Sequence, residues 1–156
     1  MIISEPILID TNVLIYATDI LSPFHILSQR VRDQGLVGSF VACITPQVLN
    51  EFFAVLTSSK RVQSPRLPEE AFREVEKYYD AESLLKVFPN EETFKYLGEL
   101  FQTHTVSQQR IFDLYLIATM VSNNVTQICT YNLDHFLPYE QIEVFSPEAL
   151  VAQLSA

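Results

Sequence analysis

Short runs of almost purely apolar residues alternate with segments of helical pattern along the chain. Ile7 to Ile9 and Phe40 to Ile44 predict two strands, and two more are expected over 127–130 and 142–145. Strands that are apolar on both sides are typical of a parallel sheet, because its helical crossovers cover both faces. We therefore predict an α/β fold with a parallel sheet flanked by helices on both faces.

Capping residues mark where the helices should begin. Thr45 and Pro46 predict the N-cap and the first position of a helix that reaches about Thr57. The same kind of reasoning predicts helices over 24–33, 68–79, 90–103 and 110–122, and a short one after Ser146. A length of 156 residues suits one domain spanning 1–156, which is long enough to bury a core.

Composition limits the function classes. The net charge of -9 argues against a protein that grips nucleic acid through a broad basic face. It leaves a nuclease open, because an acidic metal site would itself contribute several of these charges. The hydrophobic fraction of 48% suggests that some apolar surface is buried against a partner.

Location and cysteine chemistry can be read in the same way. No apolar run approaches the roughly 20 residues of a membrane span, and Met1 to Glu5 lacks the features of a signal peptide. We therefore expect a cytoplasmic protein without membrane contact. Cys43 and Cys129 lie in apolar strand-like segments and are expected to be reduced core residues rather than zinc ligands.

Four acidic residues lie where an unpaired carboxylate is unfavourable. Asp10 ends an apolar strand, Glu51 and Asp113 lie toward the apolar sides of two helices, and Asp134 lies in a loop. No lysine or arginine accompanies the first three at its apolar position, so a shared divalent cation is the simplest partner. The pattern therefore indicates a metal-dependent hydrolase.

The expected topology supports this grouping. Ligands of open parallel sheets bind beyond the carboxyl ends of the strands, which is where Asp10, Thr130 and Asn132 should lie. Two alternatives stay open. Asp10 could cap a turn that leaves the strand, and Asp113 could be a first-turn acid stabilised by its helix dipole.

Basic residues are few. Lys60, Arg61 and Arg66 flank a predicted loop where they could hold phosphate groups, although a solvated helix end explains them equally well. Arg110, near the start of the Asp113 helix, is either a further phosphate contact or an ordinary surface residue.

Four segments, in order, resemble the sequence motifs of PIN-domain ribonucleases, especially the VapC-type toxins. These segments are Ile7 to Ala17, Thr45 to Phe53, Arg110 to Ala118 and Thr130 to Phe136. The resemblance spans the chain from Ile7 to about Phe145.

The resemblance implies that Asp10, Glu51 and Asp113 bind Mg²⁺ or Mn²⁺. It assigns supporting roles to four neighbours, namely Thr11, Asn12, Thr130 and Asn132. The position of Asn132 and the residue before Phe136 are often Asp in the family, and the latter is His135 here. Asp134 is therefore expected to supply the missing carboxylate.

The resemblance also implies metal-dependent cleavage of RNA that leaves a 5′-phosphate and a 3′-hydroxyl, with single-stranded RNA favoured. The expected partners are a second copy of the chain and a small antitoxin, whose segment packs in an apolar groove and obstructs the metal site. Two alternatives remain. One is a non-catalytic PIN-fold interaction module, and the other is a housekeeping RNA-processing nuclease.

Overall fold

The structure, a computed structural model, describes residues 3–156. Met1 and Ile2 lie outside the described residues. They belong to the predicted domain 1–156 and to the N-terminal segment that lacks the features of a signal peptide. Five parallel strands form one sheet in the spatial order β3-β2-β1-β4-β5. They are β1 (Ile3–Ile9), β2 (Phe40–Ile44), β3 (Leu85–Lys86), β4 (Gln127–Cys129) and β5 (Glu143–Phe145).

Helices connect the strands and flank the sheet. They are α1 (Thr11–Thr18), α2 (His25–Leu36), α3 (Pro46–Leu56), α4 (Pro68–Asp80), α5 (Thr93–Thr103), α6 (Arg110–Ser122), α7 (Leu133–Phe136) and α8 (Pro147–Leu154). Helix α1 packs on α2 and α3, α5 packs on α6, and α2 packs on α8. No helix within 3–156 combines the length and apolar character that crossing a bilayer requires.

The strands of the sheet centre are buried on both sides, which confirms the predicted α/β class. Consecutive residues Ile7, Leu8 and Ile9 are all buried, although their side chains point alternately to opposite faces. The run from Ala42 to Ile44 in β2 behaves in the same way. Both sheet faces are therefore covered by helices, and the core lies in two layers.

Several element boundaries agree with the sequence. Helix α3 begins at Pro46, and the Thr45 hydroxyl accepts a hydrogen bond from the Val48 amide at 3.1 Å, as expected of an N-cap. Helix α6 has the predicted bounds. Helix α5 begins at Thr93 instead of Asn90, because the Asn90 side chain closes a turn by accepting from the Glu92 amide.

Three elements were absent from the sequence prediction, namely α1, β3 and α7. Helix α1 is buried around most of its circumference, so its sequence has no polar face to reveal a helical period. Strand β3 has two residues at a sheet edge, and α7 has four. Neither is long enough to show a periodic pattern.

The strand order determines where a ligand can bind. Successive connections place β2 and β3 on one side of β1, whereas β4 and β5 lie on the other side. The connections therefore diverge between β1 and β4, and a crevice is expected beyond the carboxyl ends of these two strands. Asp10 follows β1 directly, and Thr130 follows β4 directly.

Candidate active site

Asp10 links the sheet to the candidate site. It is 7% exposed and forms the single-residue connection between β1 and α1. Its Oδ1 accepts a hydrogen bond from the Thr11 amide at 2.8 Å, so the side chain caps α1. The turn-capping role considered from the sequence is therefore present, and it leaves Oδ2 for other partners.

Oδ2 of Asp10 receives two neutral donors. The Thr130 hydroxyl donates to it at 2.7 Å and the Asn12 side-chain amide at 3.1 Å. Asn12 also accepts from the Tyr131 amide at 3.2 Å, while the Thr130 hydroxyl accepts from the Asn132 amide at 3.0 Å. This network joins the ends of β1 and β4 and fixes the orientation of the Asp10 carboxylate.

Glu51 reaches the same cavity from α3. Its Oε2 accepts from the Thr11 hydroxyl at 3.2 Å, and its Oε1 accepts from the Gln47 amide at 3.1 Å. The same Gln47 amide donates to the Phe112 carbonyl at 3.0 Å. Gln47 thus connects Glu51 to the start of α6, one residue before Asp113.

Asp113 lies in the first turn of α6 and is partly exposed. Its Oδ2 lies 3.3 Å from Nδ1 of His135 and 3.7 Å from Nη1 of Arg110. Arg110, predicted as a phosphate contact or a surface residue, is thus paired with Asp113.

Asp10, Glu51 and Asp113 line one cavity of about 290 Å³. Thr11, Asn12, Asn132 and Arg61 line it as well. The structure therefore brings together three of the four predicted acids, with one of the predicted basic residues. The remaining wall consists of apolar and aromatic side chains, namely Ile15, Tyr16, Ala54, Val55 and Phe136.

Other predicted residues lie elsewhere. Asp134 is exposed in α7 and is not part of the cavity lining, whereas its neighbour His135 turns toward Asp113. Lys60 is exposed on the loop after α3. Arg66 pairs with Glu74 of α4 at 3.4 Å. Of the three loop cations, Arg61 is therefore the one that the fold directs into the cavity.

Two of the acids in the cavity, Asp10 and Asp113, have raised pKa values. Burial raises the pKa of Asp10 from 3.8 to about 6, against the opposing hydrogen bonds from Thr130 and Thr11. The negative charges of Glu51 and Asp113 raise it further. Burial also raises the pKa of Asp113, and His135 and Arg110 oppose this shift. A bound cation would relieve this repulsion.

Two residues of the site were not predicted from the sequence. Gln47 was given no role, and His135 was given no contact. Gln47 lies one helical turn before Glu51, which is the spacing at which two side chains on a helix meet. The contact between Gln47 and Glu51 could therefore have been predicted from the sequence. The approach of His135 to Asp113 was not readable, because it depends on the direction of a four-residue helix.

Solved structures with a similar fold include VapBC and VapC proteins from three organisms. VapBC-1 from nontypeable Haemophilus influenzae is 19% identical with a TM-score of 0.60, and the match covers 92% of this chain and 98% of that chain. VapBC2 from Rickettsia felis, bound to a promoter DNA fragment, is 16% identical with a TM-score of 0.61, covering 90% and 98%. The Mycobacterium tuberculosis toxin VapC20, which cleaves the sarcin-ricin loop, is 12% identical with a TM-score of 0.61, covering 85% and 94%.

These identities are low, so the likeness concerns the fold. Comparison with curated protein sequences gave no significant match. The family model of the PIN domain, however, matches residues 7–138, which include the sheet centre and the whole carboxylate cavity. With its motifs, topology and cavity in agreement with that match, the chain belongs to the PIN-domain family.

Proposed function

We propose that this protein is a metal-dependent ribonuclease that hydrolyses RNA phosphodiester bonds and acts as the toxin of a toxin–antitoxin pair. One observation carries the proposal. Asp10, Glu51 and Asp113 line a single cavity, and Asp10 is buried there against neutral donors. A buried carboxylate with two acidic neighbours needs a cation, and a cation between carboxylates is suited to bind phosphate.

The donor set fits a hard divalent cation such as Mg²⁺ or Mn²⁺, because all three ligand candidates offer carboxylate oxygens. Within residues 3–156, no three His, Cys, Asp or Glu side chains converge closely enough to enclose an ion by themselves. This agrees with Mg²⁺ chemistry, in which one or two carboxylates hold an ion that keeps several waters and also binds substrate phosphate.

The polar residues in and behind the cavity have separate roles in this proposal. Asp10 and Glu51 would hold the ion, and Asp113 would add the third negative charge that the site presents to it. The hydrogen bonds from Thr130 and Asn12 orient Asp10 for the ion. When bound, the ion supplies the positive charge that activates a water for attack and stabilises the phosphate oxygens. Arg61, in the same cavity wall, contacts a phosphate of the RNA strand.

Single-stranded RNA is the favoured substrate class, and cleavage leaves a 5′-phosphate and a 3′-hydroxyl. Asp10 is 7% exposed, so the scissile phosphate must enter a recess, which an unpaired strand does more readily than a stiff duplex. The named substrate of the similar VapC20, the sarcin-ricin loop, supports an RNA target.

A groove beside the active cavity, with an apolar side and a polar side, suits an antitoxin. This cavity, of about 520 Å³, is lined on the apolar side by Ile15, Leu56 and Val62 together with the highly exposed Ile20 and Leu21. Its polar lining residues are Thr18, Asp19, Gln63, Ser64, Arg66 and Glu70. Ile15 lines both cavities, so an apolar segment in this groove would end beside the carboxylates and obstruct them. The similar structures named VapBC support such a pairing of toxin and antitoxin.

We further propose that the protein acts in the cytoplasm as a homodimer. Cys43 and Cys129 are free and buried, and burial raises the pKa of Cys43 to about 12. Such thiols are inert core residues, as expected in a reducing compartment.

The decisive experiment incubates the purified chain with single-stranded RNAs and folded transfer RNAs in Mg²⁺, Mn²⁺ or EDTA. Asp113→Asn is the test variant, and Asp134→Asn is the control because it removes an exposed acid outside the cavity lining. Metal-dependent products from the wild type and Asp134→Asn, absent with Asp113→Asn, are the expected result. Equal cleavage by all three chains, or cleavage in EDTA, would contradict the proposal.

The pairing of Asp113 with Arg110 and His135 favours a second candidate, the non-catalytic interaction module, because cationic groups of a partner could occupy the cavity similarly. The same experiment separates the two. A folded chain that binds its partner but cleaves no RNA under any condition would be the interaction module. Cleavage confined to a precursor RNA would instead support the housekeeping nuclease.

A further inference from the structure

The two walls of the carboxylate cavity differ in their partners. On one wall, Asp10 and Glu51 accept hydrogen bonds from neutral hydroxyl and amide groups. On the other wall, Oδ2 of Asp113 faces the guanidinium of Arg110 and the imidazole of His135. Within residues 3–156, Asp10 and Glu51 thus form no ion pair, whereas the negative charge of Asp113 is partly compensated by Arg110.

The local sequence produces this compensation. Arg110 and Asp113 are three residues apart in α6, a spacing that brings two side chains together on a helix surface. His135 comes from α7, which directly follows the loop that carries Thr130 and Asn132. Both partners are therefore anchored in the helices at the edge of the cavity.

The arrangement opposes a second metal ion beside Asp113. Such an ion would lie beside a carboxylate whose Oδ2 already faces His135 and Arg110, and close to a guanidinium that stays charged at any ordinary pH. Two like charges a few ångströms apart repel, and the repulsion persists at this partly exposed position. An ion between Asp10 and Glu51 meets a weaker obstacle, because Arg61 lines the same cavity but forms no ion pair with either carboxylate within residues 3–156.

We infer that the cavity binds one divalent cation, held by Asp10 and Glu51, and that the guanidinium of Arg110 supplies the positive charge on the Asp113 side in place of a second ion, with His135 beside the same carboxylate. This inference rests on the proposed metal-dependent function. It assigns Arg110 and His135 as positioning residues that act through Asp113.

The test counts ions directly by titrating the metal-free chain with Mn²⁺, using calorimetry and the electron paramagnetic resonance signal of free Mn²⁺. The wild type should bind one Mn²⁺ per chain. The double variant Arg110→Gln, His135→Asp removes both partners and adds a carboxylate, so it should bind two. The single variant His135→Asp should show weaker second-site binding, since Arg110 remains.

Lys95→Gln provides the matched control. Lys95 pairs with Glu92 over the same three-residue spacing, at 3.6 Å, on the exposed surface of α5. Its removal changes the net charge as Arg110→Gln does and should leave the count at one. Melting temperatures of all variants, measured without metal, identify any chain that fails to fold.

The outcomes separate this inference from the proposed function. Two ions in the wild type would overturn the inference and leave the metal-dependent ribonuclease intact. No bound Mn²⁺ at millimolar concentration would contradict the proposed function itself. A folded double variant that still binds one ion would show that Arg110 and His135 do not exclude the second, and it too would overturn the inference.

Discussion

Two of the cavities lined by helix α3 differ in the chemistry of their walls. The carboxylate cavity, about 290 Å³, contains Glu51 of α3 together with Asp10 and Asp113. The other cavity, about 360 Å³, lies toward α4 and β3 and is largely apolar, and we call it the aromatic cavity. Three aromatic residues lining it are strongly exposed, namely Phe72 at 55%, Tyr79 at 50% and Phe88 at 47%.

The difference shows two ways in which a fold can leave groups unsatisfied. The carboxylate cavity concentrates like charge that folding has partly desolvated, and a cation can relieve it. The aromatic cavity leaves apolar surface in water, and another protein surface can cover it. We therefore expect metal and substrate at the first cavity and the second copy of a homodimer at the other.

The largest expected effect is on the rate of RNA cleavage, which should depend on the carboxylate cavity and not on the aromatic cavity. Asp10→Asn removes a proposed metal ligand but keeps an oxygen that can accept from the Thr11 amide. A metal ion contributes several kcal/mol to such a reaction, so we expect roughly a 10³-fold loss of cleavage rate. Phe88→Ser, in the aromatic cavity, should change the rate per chain by less than about twofold. Comparable losses in both variants would remove the distinction.

The next effect concerns stability and pH in the absence of metal. Because burial raises the pKa of Asp10 from 3.8 to about 6, the folded chain holds this proton more tightly than the unfolded chain. The stabilisation is present below about pH 4 and is lost as the pH rises to about 6, for a total of about 3 kcal/mol.

Urea unfolding in EDTA between about pH 4 and about pH 7 measures this loss. Asp10→Asn lacks the titration, so the free energy of unfolding of the wild type should fall relative to this variant as the pH rises. A difference between the two chains that stays constant with pH would contradict the prediction. Phe88→Ser should follow the wild-type pH dependence, because it leaves Asp10 unchanged.

The third prediction is that the aromatic cavity forms the homodimer interface, and measuring self-association of the chain tests it. Phe72→Ser and Tyr79→Ser remove exposed aromatic surface from the proposed dimer interface. Aromatic anchors in such interfaces contribute about 2 kcal/mol each, so we expect the dimer dissociation constant to rise roughly 30-fold per substitution. Sedimentation measures it. Phe94→Ser, which removes an aromatic side chain that is 76% exposed on α5, is the control and should leave dimerisation unchanged.

The smallest expected effect is on KM for RNA, and it should differ between Arg61 and Lys60, which are neighbours on the loop after α3. Arg61 lines the carboxylate cavity and Lys60 does not, although both are exposed. Arg61→Ala should raise KM for RNA roughly five- to tenfold, the order expected for one phosphate contact, with kcat little changed. Lys60→Ala should alter KM by less than about twofold. The reverse order would place the phosphate path on the other side of the loop.

Much of the fold was predictable because local chemistry was decisive at particular positions. Thr45 and Pro46 determine the start of α3, and the apolar residues from Ala42 to Ile44 could only lie in a covered strand. Helix α1 was missed for the opposite reason. Its five residues from Val13 to Ala17 are all hydrophobic, so tertiary burial rather than an amphipathic pattern determines its conformation.

The part of the site that the strand order determines was predictable from the sequence. Asp10 and Thr130 follow adjacent strands, so the sheet alone brings them together. Asp134 and His135 are sequence neighbours whose side chains diverge by about 100° around α7, and the sequence does not show which one faces Asp113. Such a choice depends on the orientation of a short helix, which long-range packing sets.

The single-residue connection at Asp10 also governs how the cavity can adapt. Because β1 passes into α1 through Asp10 alone, this carboxylate is fixed to the sheet, and the Asp10 amide donates to the Cys129 carbonyl at 3.0 Å. Asp113, by contrast, lies in the first turn of α6, which follows the longer connection 104–109. We therefore expect the Asp10 side of the cavity to move less than the start of α6 when RNA strands of different shape bind.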